Sequence, residues 1–193
     1  LANTTGALDL RHNYFGAFPK VGEVLSIGTT NSVNVQGFTG VPFDSTWSTG
    51  PYFGGESLPA DTTWLGEVFV TGNVSVPSGA KLTVNAGTTV QFACFDANED
   101  GRGDCGVTSS SGILAINGTS AAPVLFTAFG TAKAPRAWDT LRATGGTLNA
   151  QYATIEYADD GLTVDAASGT VDHVTLRNNA DDGLVVTSVV TGT

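Results

Sequence analysis

Apolar residues recur in pairs two positions apart along the middle of the chain: Val68 and Val70, Val74 and Val76, Leu82 and Val84, Val90 and Phe92. Side chains alternate between the two faces of a strand, so each pair predicts a strand of about three residues with both ends turned inward. The starts of these strands, Val68, Val74, Leu82 and Val90, close a period of about 22 residues. The same period returns downstream in nearly identical words. ADDGLTV, from Ala158 to Val164, recurs as ADDGLVV from Ala180 to Val186, and ATIEY, from Ala153 to Tyr157, is followed by VTLRN from Val174 to Asn178.

Three short strands per turn of about 22 residues describe one coil of a right-handed parallel β-helix, an all-β solenoid with three faces and three corners. Coils stack about 4.8 Å apart, so the inward residues form columns along the axis. Turn residues stand where the corners need them, in VPSGAK, NAGTT, ADDG and NNADDG. A β-sandwich is the competing all-β arrangement, but its strands run longer and do not return at a fixed interval.

The stretches from Val68 to Phe92, Gly112 to Ala128 and Trp138 to Val164 resemble rungs of right-handed parallel β-helix repeat proteins of microbial cell surfaces. The resemblance implies a secreted, elongated scaffold. It implies no particular activity, because that fold carries adhesins, tailspikes and polysaccharide-cleaving enzymes alike.

In the same family a segment of the form LD-x-x-NYWG closes the solenoid, and ALDLRHNYFG, from Ala7 to Gly16, is similar to it with Phe15 at the usual Trp. Residues 1–40 therefore resemble a closing segment. Residues 41–64 are rich in Gly, Pro and aromatics without strand alternation and are expected to be a linker or cap. The solenoid proper is expected over 65–193, with an inserted loop at 94–111. The last stretch, LVVTSVVTGT, reads as a coil still in progress; set before LANTTGALDLRHNYFG, it reads as unbroken β-helix. Subunits are thus expected to join head to tail by strand complementation, or to be tandem repeats of one longer chain. The interface candidates are Leu8, Leu10, Tyr14 and Phe15 at one end, and Leu184, Val186, Val189 and Val190 at the other.

Charge narrows the partners. A net charge of -10 with only 8 Lys and Arg among 193 residues excludes phosphate-backbone recognition, which needs clustered cations. No stretch is apolar for the length a membrane span requires. Cys94 and Cys105 flank a polar loop and suit a disulfide formed in an oxidising, extracellular compartment. Three N-x-[ST] sequons, at Asn3, Asn73 and Asn117, are candidate glycosylation sites.

The loop between the cysteines, CFDANEDGRGDC, carries oxygen side chains at alternate positions: Asp96, Asn98 and Asp100. With the backbone carbonyl of Arg102 and the carboxylate of Asp104, these could surround a hard cation, for which all-oxygen donors favour Ca²⁺ over Zn²⁺ or copper. The loop resembles the first nine positions of EF-hand-type calcium loops, as in dockerin-like repeats. It departs at the twelfth, where Val107 stands in place of the bidentate Glu and Asp104 must supply that role. The expected part of the ion is structural.

Enzymatic chemistry is the second reading. Asp159, Asp160, Asp181 and Asp182 recur one coil apart, with Asp172, His173 and Arg177 nearby, and paired carboxylates can cleave glycosidic bonds. Asp-Gly corners are also what turn chemistry demands at those positions. His12 and His173 lie in unrelated repeats, which gives no support to a nucleophilic triad. Trp47, Tyr52, Phe53 and Trp64 are read as packing residues before sugar platforms, with surface glycans as further candidate partners. The leading expectation is an extracellular structural subunit of a filament, sheath or adhesin, stabilised by calcium and without catalysis. A polysaccharide-binding or polysaccharide-cleaving domain is the alternative. A phage or surface spike is a third reading, for which trimer-forming tails would be expected and none is seen.

Overall fold

The computed structural model describes residues 56–188 apart from residues 95, 97 and 132, together with the strand residues Leu8–Asp9, Val33–Asn34 and Tyr52–Phe53. The chain divides into two compact units, Leu1–Pro51 and Tyr52–Thr193. In the first, β1 (Leu8–Asp9) pairs in parallel with β2 (Val33–Asn34), Leu8 opposite Val33. Leu10, Tyr14, Phe15, Val189, Val190, Asn3 and Trp47 lie outside the described residues.

In the second unit every strand pairing is parallel, and the strands are wound in levels. The lowest comprise β3 (Tyr52–Phe53), β4 (Glu56–Ser57), β5 (Thr62–Trp64) and β6 (Glu67–Val70). Above them follow β7 (Val74–Val76), β8 (Lys81–Asn85) and β9 (Thr89–Phe92), then β10 (Val107–Ser110), β11 (Ile113–Asn117) and β12 (Val124–Ala128). The upper levels are β13 (Leu141–Thr144) with β14 (Thr147–Glu156), β15 (Leu162–Asp165) with β16 (Ser168–Arg177), and β17 (Leu184–Ser188). One face stacks β4, β7, β10, β13, β15 and β17. The other two are joined by β14 and β16. The first half of β14 continues β8 and β11, while its second half continues β9 and β12. This is a parallel β-helix.

The columns follow from register. Val74, Val107, Leu141 and Leu162 stand one above another, as do Val84, Ile116 and Ala150, and Val68, Val90, Phe126 and Ile155. All of them are buried, and each large one contributes about 1.5–3 kcal/mol by leaving water. Trp138 is the largest side chain at the corner after the third face. It lies flat on Phe92 at 3.9 Å between ring centres and donates Nε1–H to the Glu156 carbonyl at 3.0 Å.

Where nothing is inserted, the coil keeps the length the repeat predicts: Leu141 pairs with Leu162, and Leu162 with Leu184. Two levels are longer chiefly because residues 93–106 and 129–140 loop out at one corner, between β9 and β10 and between β12 and β13, and residues 118–123 add a smaller loop between β11 and β12. The second insertion carries no sequence signal of the kind that marks the first. The solenoid also starts earlier than the alternation suggests. β3, β4 and β5 lie inside the segment expected to be linker, and strands of two or three residues are too short to show a period. Trp64 is buried there as the base of the Val84 column, which gives it a packing role. In the two upper coils the corner between the second and third faces has shrunk to one residue: Tyr152 and His173 turn β14 and β16 with φ of +45° and +50°. That left-handed backbone costs bulky residues of order 1–3 kcal/mol and is held by the ladders on either side.

Ser109 is the odd member of an inward column, between Val76 and Ala143, and its buried hydroxyl has no hydrogen-bond partner. Ser109→Ala is therefore expected to raise the unfolding free energy by about 1 kcal/mol, read as a higher urea midpoint. A lower midpoint would show that the hydroxyl is satisfied.

Candidate functional site

The corner that carries both insertions gathers most of the polar chemistry. Four segments lie over one another there: 93–106, 129–140, 157–161 and 178–183. Their backbones form a ladder, with Gly103 N–H donating to Arg136 O at 2.8 Å, Arg136 N–H to Ala158 O at 3.1 Å, and Ala180 N–H to Ala158 O at 3.0 Å. Gly103 is required by this approach, since a Cβ there would come within 2.1 Å of the Ala137 carbonyl oxygen.

Cys94 and Cys105 form a disulfide, with Cα atoms 5.3 Å apart. Inside it the loop closes on itself. The Asp96 carboxylate accepts Asp100 N–H at 3.0 Å and Gly101 N–H at 2.8 Å. Asn98 Oδ1 accepts Asp100 N–H at 3.1 Å, and Asp100 Oδ1 accepts Arg102 N–H at 3.0 Å. The sequence-predicted donors Asp96, Asn98 and Asp100 thus turn toward one stretch of backbone, while Asp104 is exposed. Among the described residues no three His, Cys, Asp or Glu side chains stand close enough together to hold a metal by themselves.

Arg102, from this loop, reaches across two levels to Asp159. Arg136, from the second insertion, meets the same carboxylate, its Nε 3.0 Å from Oδ1 in an ion pair. The Asp159 side chain is 4% exposed against 44% and 42% for the arginines. A buried carboxylate gripped by two half-hydrated guanidiniums ties both insertions to the solenoid. Asp160, Asp181 and Asp182 serve the turns: Asp181 N–H donates to Asp159 O at 3.0 Å, and Asp182 N–H to Asp160 Oδ1 at 3.3 Å.

His173 and Arg177 are not brought to these carboxylates. His173 Nδ1 lies 2.8 Å from Asp172 Oδ1, and its ring stacks on Tyr152 at 4.5 Å. Arg177 Nε donates to Glu156 Oε2 at 2.8 Å. Glu156, buried on the outer side of the third face, also accepts the Thr127 hydroxyl at 2.9 Å, and Lys133 Nζ reaches Thr127 at 2.8 Å. Sequence reasoning missed Glu156, although the repeat places it one coil below Arg177. Asn73 and Asn117 are both exposed.

Asp139 was also missed. Although the residue keeps surface exposure, crowding by protein atoms raises its carboxyl above the ordinary Asp value. Arg142 opposes this, and Asp159 and Asp160 add to it. At the end of the first face the reverse holds: hydrogen bonds from Ser188 and then Thr187 lower Asp165.

Three faces of parallel strands, apolar columns and insertions gathered at one corner place the chain among the parallel β-helix proteins. Residues 61–182 match the family described as the pectate-lyase like beta helix domain, and the chain belongs to that family. No curated protein and no solved structure gives a match.

Asp159→Asn is expected to cost roughly 2 kcal/mol, less than a fully buried pair because the freed arginines can hydrate. Urea unfolding gives the cost, and faster proteolysis within 94–105 would report the loosened loop. For Asp139 the folded-state pKa lies above the unfolded one, so the native state binds the extra proton and stability falls as pH rises between the two values. Asp139→Asn is expected to remove that fall, giving a variant more stable than the parent at neutral pH and a flatter profile of thermal midpoint against pH.

Proposed function

We propose that this chain is a structural module of the cell exterior, a β-helix that joins end to end with further copies of itself into a filament, sheath or adhesin stalk. The observation that carries this reading is the state of the uppermost described coil. Val171, Leu184 and Val186 are 47%, 48% and 50% exposed, whereas Ala150 and Leu162, directly below two of them, are fully buried. Among the described residues β16 and β17 are each paired on one side only. The lower end differs, with Leu58 and Trp64 buried. A strand edge without a partner among the described residues, beside half-exposed columns, is a template for further chain, and it suits a non-closing, head-to-tail contact.

The disulfide supports an oxidising location. Among the described residues no helix is long and apolar enough to cross a membrane. For the loop at 94–105 the reading is a structural calcium site. Asp96, Asn98 and Asp100 would hold the ion with the Arg102 carbonyl and Asp104, and extracellular calcium is abundant enough to fill even a weak site.

A second reading, cleavage of an acidic or neutral polysaccharide, draws on Asp139. A surface carboxyl raised in pKa beside Asp160 and Arg142 is the environment a general acid needs.

Light scattering and negative-stain microscopy of the full chain test the proposal. Fibres or a ladder of oligomers are expected, lost in Leu184→Asp with Val186→Asp while the circular-dichroism spectrum is kept. EGTA is expected to lower the thermal midpoint; an unchanged midpoint removes calcium from the account. A monomer at every concentration that releases reducing or unsaturated sugars from a glycan panel, and loses that activity in Asp139→Asn, overturns the structural reading in favour of the enzymatic one.

A further inference from the structure

Ile113 is 40% exposed on a middle coil of the solenoid, whereas Ala115, two positions on and on the same outer side of β11, is 6% exposed. A knob thus stands beside a hollow. The hollow lies between Thr83 below and Asn149 above, the register partners of Ala115. We infer that this face packs side by side against the same face of a second copy, with each Ile113 seated over the other copy's Ala115.

Charge selects the occupant. The chain carries a net charge of -10, so two copies repel over much of their surface. Acidic side chains crowd the corner of the insertions, Asp100, Asp104, Asp181 and Asp182 among them. On β8, β11 and the first half of β14 the outward residues are Thr, Asn, Gln, Ile and Ala, with Lys81 as the one charge. Two copies can approach there without bringing carboxylates together, while Lys81, at the start of β8, keeps its ammonium in water. No aromatic ring points outward from these strands to carry a sugar.

The repeat supplies the fit. Outward residues recur at every level, about 4.8 Å apart, and a copy of the chain offers rows at the same spacing, level for level. A two-fold axis along the stack, between the columns of Ile113 and Ala115, sets Ile113 on Ala115, Thr147 on Asn149 and Lys81 on Thr83. Each contact then occurs twice, as an isologous interface requires. The two solenoids run in the same direction, so the contact repeats along copies joined end to end. Five residues over about four levels offer on the order of 300 Å² per copy, against about 800 Å² for a standard interface. Single copies therefore pair weakly, and the pairing draws its strength, though not its geometry, from the end-to-end reading above.

Crosslinking of the full chain tests the contact. Copies carrying Thr147→Cys are mixed at high concentration with copies carrying Asn149→Cys and treated with a short bismaleimide, since packed sheets lie about 10 Å apart, beyond disulfide reach. The mixed pair is expected to exceed either self-pair, and to vanish when Thr144→Cys, exposed on the first face, replaces Asn149→Cys. In the same background Ile113→Ala and Ala115→Ile are each expected to lower the linked fraction about tenfold, and together to restore it, with the circular-dichroism spectrum kept. Equal linking to Thr144→Cys, or a double exchange that restores nothing, overturns the knob and hollow. Fibres that stay single and unlinked overturn the side-by-side contact and leave the end-to-end reading standing. Links between copies that form no fibre keep the contact and remove that reading, and neither links nor fibres overturns both. Protection of the Thr147→Cys thiol from labelling by a neutral glycan, and not by added protein, gives the face to a carbohydrate and overturns the second copy.

Discussion

Every coil has to bring the chain back to the same place. A parallel β-helix keeps its backbone bonds and its columns only if each inward residue lands above an inward residue of the level below, and one extra residue inside a strand would turn a whole column outward. The rest of this structure is arranged around that requirement. The bare coils, from Leu141 to Leu162 and from Leu162 to Leu184, satisfy it directly. The longer ones satisfy it by putting surplus chain at the corners, where the strands on either side resume in register: Val107 over Val74, Leu141 over Val107.

Surplus chain brings its own cost, because loops carry backbone groups and charges that need partners. Here the two insertions supply those partners to one another. Gly103 is held by Arg136, Asp139 by Cys105, and both loops send an arginine to Asp159. The disulfide closes the lower loop and Trp138, lying on Phe92, anchors the upper one. The polar cluster at this corner is first of all the means by which two irregular segments are fixed to a regular one, and a carboxyl with an altered proton affinity, Asp139, follows from that crowding.

What could be read from the sequence divides along the same line. The alternating pairs from Val68 to Phe92 exposed the solenoid because they sit in strands, and the repeat around ADDG because it marks one corner and the strand after it in each coil, where the period is dictated by geometry. The strands from Tyr52 to Trp64 were not visible, being two or three residues long. Nor was the second insertion, whose residues 129–137 resemble any turn-rich segment. Asp159 and Asp160 are the same amino acid in the same repeat. Only the first is buried, because the arginines that grip it come from loops of the levels below, and nothing at Asp181 has such a neighbour. A pairwise relation across 57 residues leaves no local mark, whereas the Glu156 and Arg177 pair, one coil apart, lies in the aligned repeats for any reader who compares them.

The corner at Tyr152 and His173 holds a single residue between faces in the upper coils and six, residues 118–123, one level below, while the corner opposite tolerates a dozen or more. Lengthening by natural variation or by engineering therefore has most room on the side that carries 93–106 and 129–140. A foreign peptide grafted at Gly130–Thr131, both exposed and outside the strands, would be displayed along that side, and grafts on successive levels would form a row with the spacing of the coils.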